Sequence, residues 1–124
     1  MAAPAFNTVT WFQVGTDDPK AARDFYGDLF GWTFDVDPGT GYDLISYPGA
    51  EAPSGGIAHV PSAEQNSATF LVLVEDVAAV CARTERLGGK ILVQPTTTPK
   101  GLVFAHLLDP SGNHFGVFTP PPAP

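Results

Sequence analysis

A single cysteine, Cys81, stands in the 124 residues. That excludes an intramolecular disulfide and any thiolate cluster around zinc. Basic residues are scarce too: six Lys and Arg face thirteen Asp and Glu, for a net charge of −7. Lys20, Arg23, Arg83, Arg86, Lys90 and Lys100 are scattered. No basic stripe is available to neutralise phosphates, which argues against nucleic acid as a partner. The same sign argues against an anionic membrane surface. No run approaches the roughly 20 apolar residues of a membrane span. The opening Met1-Ala2-Ala3-Pro4-Ala5-Phe6 lacks the charged and apolar regions of a secretory leader. A reducing cytoplasm is therefore the expected compartment. Also absent are a Gly-x-Ser-x-Gly nucleophile elbow and any His-x-His or His-x-x-x-His pair among His59, His106 and His114.

What is present is a strand-rich chain. Thirteen Gly and thirteen Pro punctuate a sequence that is 44% hydrophobic, the pattern of many short elements around a core. Thr8–Val14 is rich in β-branched and aromatic residues and predicts a strand. Asp18 caps a helix that starts at Pro19, where a missing N–H costs nothing. Ala22, Phe25, Tyr26, Leu29 and Phe30 fall on one helical face, which predicts a core-facing stripe. Gly31 suits the left-handed residue after the helix. Strands are predicted over Trp32–Val36, Tyr42–Tyr47 and Gly56–Val60, with turns at Asp37-Pro38-Gly39-Thr40-Gly41 and from Pro48 to Gly55. Pro61–Ser67 is polar and irregular.

The pattern then restarts. Ala68–Val74 predicts a strand, and Asp76 caps a helix bearing Val77, Val80, Cys81, Thr84 and Leu87 on one side. Gly88-Gly89 stops it. Further strands are predicted at Lys90–Thr96, Leu102–Leu108 and His114–Thr119, before an extended Pro120–Pro124 tail. Strand–helix–three strands thus occurs twice, with a period of about 60 residues. The prediction is an α+β fold of two βαβββ modules, residues 1–62 and 63–119, forming a curved mixed sheet with a concave cleft where a ligand sits.

Asp18-Pro19-x-x-Ala22-x-x-Phe25-Tyr26-x-x-x-Phe30-Gly31-Trp32 resembles the first-helix signature of the vicinal-oxygen-chelate superfamily. That superfamily includes glyoxalase I, bleomycin-resistance proteins and extradiol dioxygenases. Leu87-Gly88-Gly89 and Asp109-Pro110-Ser111-Gly112-Asn113 resemble its second-helix end and its turn before the last strand. The resemblance covers nearly the whole chain. It implies a divalent ion held by His or Glu from the first and last strand of each module. Carried over residue by residue, those positions fall on Val9, Ala58, Phe70 and Gly116, none of which ligates through its side chain. A one-residue register change brings in His59 but turns its neighbours to the other face. No divalent metal or other cofactor is therefore expected.

The resemblance also puts Trp11 and Gln13 in the cleft, on the side of Val9. Strand parity adds His114 and Phe118 to Gly116, and Phe70 joins them. Trp32, Tyr42, Tyr47 and Phe104 are further candidates for an aromatic wall. His114 is the weak candidate for acid–base chemistry, because imidazole titrates near neutrality; as a strand-end residue it has an equally ordinary structural role. Phe25, Tyr26 and Phe30 are expected in the core. Asp17, Asp18, Glu75 and Asp76 read as helix caps and their neighbours, and Asp35, Asp37 and Asp43 as turn residues. Three functions fit: a metal-independent protein that binds a small aromatic or apolar molecule, a lyase, isomerase or epimerase using His114 with Gln13, or an accessory module. A homodimer is the expected assembly.

Overall fold

The computed structural model describes residues 5–37 and 39–122. Met1–Pro4 of the leader reading, Pro38 of the first turn, and Ala123 and Pro124 of the tail lie outside the described residues. The elements are β1 (Thr8–Thr16), α1 (Pro19–Phe30), β2 (Thr33–Asp35), β3 (Tyr42–Ser46) and β4 (Gly55–His59), then β5 (Ser67–Leu73), α2 (Val77–Arg86), β6 (Lys90–Thr97), β7 (Val103–Leu108) and β8 (His114–Thr119). This is the doubled βαβββ order that the sequence predicts. One short 3₁₀ turn, Ala63–Gln65, lies in the segment read as irregular.

Contacts group Trp11–Ala68 into one unit and the rest of the described chain into another. In the first unit the strand order is β2-β3-β4-β1. β1 runs parallel to β4, while β2, β3 and β4 pair antiparallel. In the second unit the order is β5-β8-β7-β6, with β5 parallel to β8 and the others antiparallel. The two units therefore repeat one topology: the first strand of each pairs with the last, and the helix makes the crossover that a parallel pair requires.

Local chemistry sets both helices. The Asp18 carboxylate accepts from the Ala21 N–H at 3.1 Å, Pro19 opens α1, and Gly31 closes it with φ of 75°. The Asp76 carboxylate accepts from the Ala79 N–H at 3.0 Å, and Gly88, with φ of 92°, follows α2.

α2 buries Val77 and Cys81 against Ala105, Leu107 and Val117 of β7 and β8. Each large apolar side chain so buried stabilises the fold by about 1.5–3 kcal/mol. The first unit is held differently. Ile45 and Ile57 are fully buried, and an aromatic cluster forms beside them. Trp32 packs on Phe12, Tyr26, Phe30 and Tyr47 with ring centroids 5.2–5.6 Å apart. Across the helix–sheet junction Arg23 of α1 donates to the buried carboxylate of Asp43 at 2.7 Å.

One expectation needs correction here. Phe25 and Phe30 are 59% and 52% exposed, so neither belongs to the core, and Leu29 beside them is 57% exposed. Tyr26 is half-buried and stacks on Trp32 at 5.3 Å, while Phe30 touches the same ring at 5.2 Å with half its surface still exposed. The inward face of α1 is instead Ala22, Arg23, Tyr26 and Gly27. Arg23 and Gly27 are the residues that an apolar-periodicity count passes over.

Candidate functional site

Strand alternation decides what each sheet presents away from its helix. In the first unit the register pairs Gln13 with Gly56, Gly15 with Ala58, and Tyr42 with Ala58. Trp11, Gln13, Tyr42, Leu44, Gly56 and Ala58 therefore share one face. Phe12, Val14, Asp43, Ile45 and Ile57 share the other, under α1. Trp11, Gln13 and Ala58 stand together as predicted.

Tyr42 joins them. Its hydroxyl oxygen accepts from Trp11 Nε1 at 2.9 Å and keeps its own proton to donate. Burial pushes the phenol pKa up, against the lowering effect of the Trp11 hydrogen bond, so Tyr42 is neutral at pH 7. Gly56 makes this arrangement possible, since a Cβ there would lie 2.2 Å from the Tyr42 ring and hydroxyl. Gly55 plays the same part on the opposite face, where a Cβ would lie 2.5 Å from Phe12. Two adjacent glycines thus let aromatic rings lie on both sides of β4. Trp32 and Tyr47, candidates for the aromatic wall, are on the α1 side with Phe12.

In the second unit His114, Gly116 and Phe118 of β8 share a face with His106 and Phe104 of β7, because His106 pairs with Gly116 and Phe104 with Phe118. His114 Nε2 lies 3.0 Å from His106 Nδ1, with the ring planes 76° apart. One of these nitrogens carries the shared proton and the other accepts it. Phe104 meets the His106 ring edge-on at 5.7 Å. Burial lowers the pKa of both imidazoles, and the neighbouring His114 lowers that of His106 further. Both rings are neutral at pH 7. The sequence singles out His114 and offers no fixed spacing that pairs it with His106.

Phe70 departs from its expected place. Leu71 pairs with Gly116 and Val72 with Val117, so Phe70 shares the α2 side with Val72. It is 47% exposed and stacks on Phe115 at 5.8 Å. Thr69 and Leu71, both buried, stand on the histidine side instead. Val9, at the start of β1, is 58% exposed.

These residues do not fit a family-type divalent site. Val9, Ala58 and Gly116 offer no donor, and Phe70 gives way to a hydroxyl at Thr69 and an alkyl chain at Leu71. Among the described residues, no group of three or more His, Cys, Asp or Glu is arranged to hold a metal ion. Three of the carboxylates have partners of their own. Asp43 pairs with Arg23, Asp37 accepts from the Gly39 N–H, and Asp17 accepts from the Asn66 amide. Cys81 is buried, and burial raises its thiol pKa, so it is no nucleophile. Two shallow depressions lie elsewhere, one at the start of α2 around Glu75 and Asp76, the other on α1 around Phe25 and Leu29.

Comparison with known proteins agrees with the doubled module. The model of the Glyoxalase/Bleomycin resistance protein/Dioxygenase superfamily matches residues 8–117. The chain is 30% identical over 119 residues to the glyoxylase candidate CFP32 of Mycobacterium tuberculosis, covering 93% of this chain and 45% of that protein. It is 30% identical over 124 residues to the anthracycline biosynthesis protein DnrV of Streptomyces peucetius, covering 87% and 45%. The chain thus spans less than half the length of these curated relatives. Among solved structures, methylmalonyl-CoA epimerase from Mycobacterium tuberculosis matches with a TM-score of 0.62 at 17% identity, over 98% of this chain and 94% of that one. A hypothetical protein from Bacillus halodurans matches with a TM-score of 0.63 at 12% identity, over 95% and 97%. Identities this low carry the fold alone. The family model, the matched span and the repeated βαβββ topology agree: the chain belongs to the Glyoxalase/Bleomycin resistance protein/Dioxygenase superfamily.

Proposed function

We propose that this protein binds a small aromatic or apolar molecule on the sheet face of its first module, using Trp11, Tyr42, Gln13 and Ala58 and no ion at the family's four metal positions. The observation that carries this reading is the Trp11–Tyr42 pair. Trp11 is pinned through its indole N–H, Tyr42 lies over Gly56, and both are half-buried away from α1. Rigid aromatic rings offer a flat ligand much contact area at little entropic cost, and the Tyr42 proton fixes its orientation. Binding of this kind needs affinity and no chemistry, so side chains without ligating power at Val9, Ala58 and Gly116 are no handicap. The DnrV likeness supports a flat polycyclic ligand, since the name of that relative refers to anthracycline biosynthesis.

Isothermal calorimetry with daunorubicin, and with a panel of simpler aromatics, tests the reading. The expected result is saturable binding that survives EDTA and weakens about tenfold or more in Trp11→Ala. Binding that EDTA abolishes, or that Trp11→Ala leaves intact, defeats it. The assembly we propose is a homodimer, supported by Phe25, Leu29 and Phe30 exposed together on α1. Sedimentation of a clean monomer at high concentration removes that part. A reducing compartment suits the lone buried thiol of Cys81.

A further inference from the structure

We propose that His106 and His114 form a two-imidazole binding site for a borderline divalent transition ion, that is copper, nickel or zinc. The pair is built by the sheet. His106 lies on β7 opposite Gly116, and His114 lies on β8 opposite Leu108, so the two imidazoles are diagonal neighbours on one face.

Their facing nitrogens, His114 Nε2 and His106 Nδ1, are 3.0 Å apart. Imidazole nitrogens bind zinc at about 2.0–2.1 Å, so two nitrogens at adjacent octahedral positions are about 3.0 Å apart, and at tetrahedral positions about 3.4 Å. The spacing already present is that of a shared ion. For both to hold one ion, the proton between the rings moves to the outer nitrogen of its own ring, and each ring turns so that its lone pair points about 45° off the N···N line. The hydrogen bond between the two neutral rings is given up.

Three further features fit. Both imidazoles are neutral at pH 7, the form that ligates. Phe104 packs edge-on against His106 and covers one edge of its ring. Gly116 leaves the space into which His106 leans, since a Cβ there would lie 3.3 Å from Nδ1 and 2.9 Å from Leu71.

The nearest acid in sequence, Asp109, is not a ligand. Its carboxylate accepts from the Ser111 N–H and from both nitrogens of Asn113. Among the described residues no third His, Cys, Asp or Glu completes a cluster. Water or an added ligand therefore fills the remaining positions. An all-nitrogen protein donor set selects copper, nickel and zinc and rejects calcium and magnesium, which require oxygen. This site is independent of the ligand-binding reading, because the ion alone is the probe and Trp11 takes no part.

The experiment is calorimetric titration of the chelator-free full chain with Cu²⁺, Ni²⁺, Zn²⁺ and Mg²⁺ in turn, with nuclear magnetic resonance of the histidine rings. One copper, nickel or zinc ion per chain is expected, copper tightest, with no magnesium binding. His106→Gln and His114→Gln should each weaken binding about tenfold or more. His59→Gln, at an exposed position, should leave it unchanged. In the unmodified protein, paramagnetic Ni²⁺ should broaden the His106 and His114 ring signals together, a readout that needs no variant to fold. Absence of binding, broadening of one ring alone, retention of the ion in both single variants, or its loss in His59→Gln would overturn the proposal.

Discussion

Gly56→Ala isolates the contact on which the candidate site depends. The added methyl would lie 2.2 Å from the Tyr42 ring and hydroxyl. Ordinary carbon contacts are about 3.5–4.0 Å. The neighbour is a half-buried aromatic ring held by a hydrogen bond, so Tyr42 must leave its place. Overpacking of this kind costs about 1–3 kcal/mol. Losing the Trp11–Tyr42 hydrogen bond costs about 1 kcal/mol. Replacing glycine by alanine in a strand returns about 0.5–1 kcal/mol of backbone entropy. The net destabilisation is about 1–3 kcal/mol, or a Tm lower by roughly 4–12 °C for a domain of this size. The decisive assay is a double-mutant cycle by urea unfolding. In a Tyr42→Ala background the clash is gone, and Gly56→Ala should be neutral or stabilising by about 0.5–1 kcal/mol. If Gly56→Ala costs the same in both backgrounds, Tyr42 does not lie over Gly56 and the account of this face fails.

Three other outcomes follow from the same structure. Arg23→Ala leaves the buried Asp43 carboxylate unpaired and should cost about 3 kcal/mol, much of it recovered in Arg23→Ala/Asp43→Asn; urea melts read both. His106 and His114 have folded pKa values below the ordinary 6.5, so as pH falls below 6.5 the unfolded chain takes up their protons first. Their contribution is complete above that pH and is lost as the pH falls through the folded values, and His106→Gln/His114→Gln should flatten the decline in urea midpoint below pH 6.5. Hydrogen bonds from the Asn113 side chain, then from backbone N–H groups, hold the Asp109 carboxyl below its ordinary 3.8. Asn113→Ala should bring it back toward that value in a carbon-detected titration, and an unchanged Asp109 pKa would contradict the turn geometry.

The architecture was legible because each local signal agreed with the next. Asp caps, Gly stops and the Asp-Pro-Ser-Gly-Asn turn bounded runs of the right period, and the repeat made the two halves check one another. What alternation cannot supply is which residue of a strand faces the helix. That depends on pairing, and a one-residue slip reverses every side chain. Trp11, Gln13 and Ala58 came out on one face because the β1–β4 register agreed with the assumed parity. Phe70 did not, because β5 pairs Leu71 with Gly116. The α1 stripe misled for a related reason. Apolar spacing predicts burial only when the sheet beneath is apolar, and here buried Asp43 draws Arg23 to the sheet while Phe25 and Leu29 turn out. The His106–His114 pair was within reach of the sequence. The turn sets the hairpin register, since Asp109 N–H donates to the Asn113 carbonyl at 3.0 Å. Leu108 must then oppose His114, which leaves His106 one diagonal step away on the same face. Counting outward from a turn of known length therefore finds cross-strand pairs that scanning for fixed histidine spacings along the chain passes over.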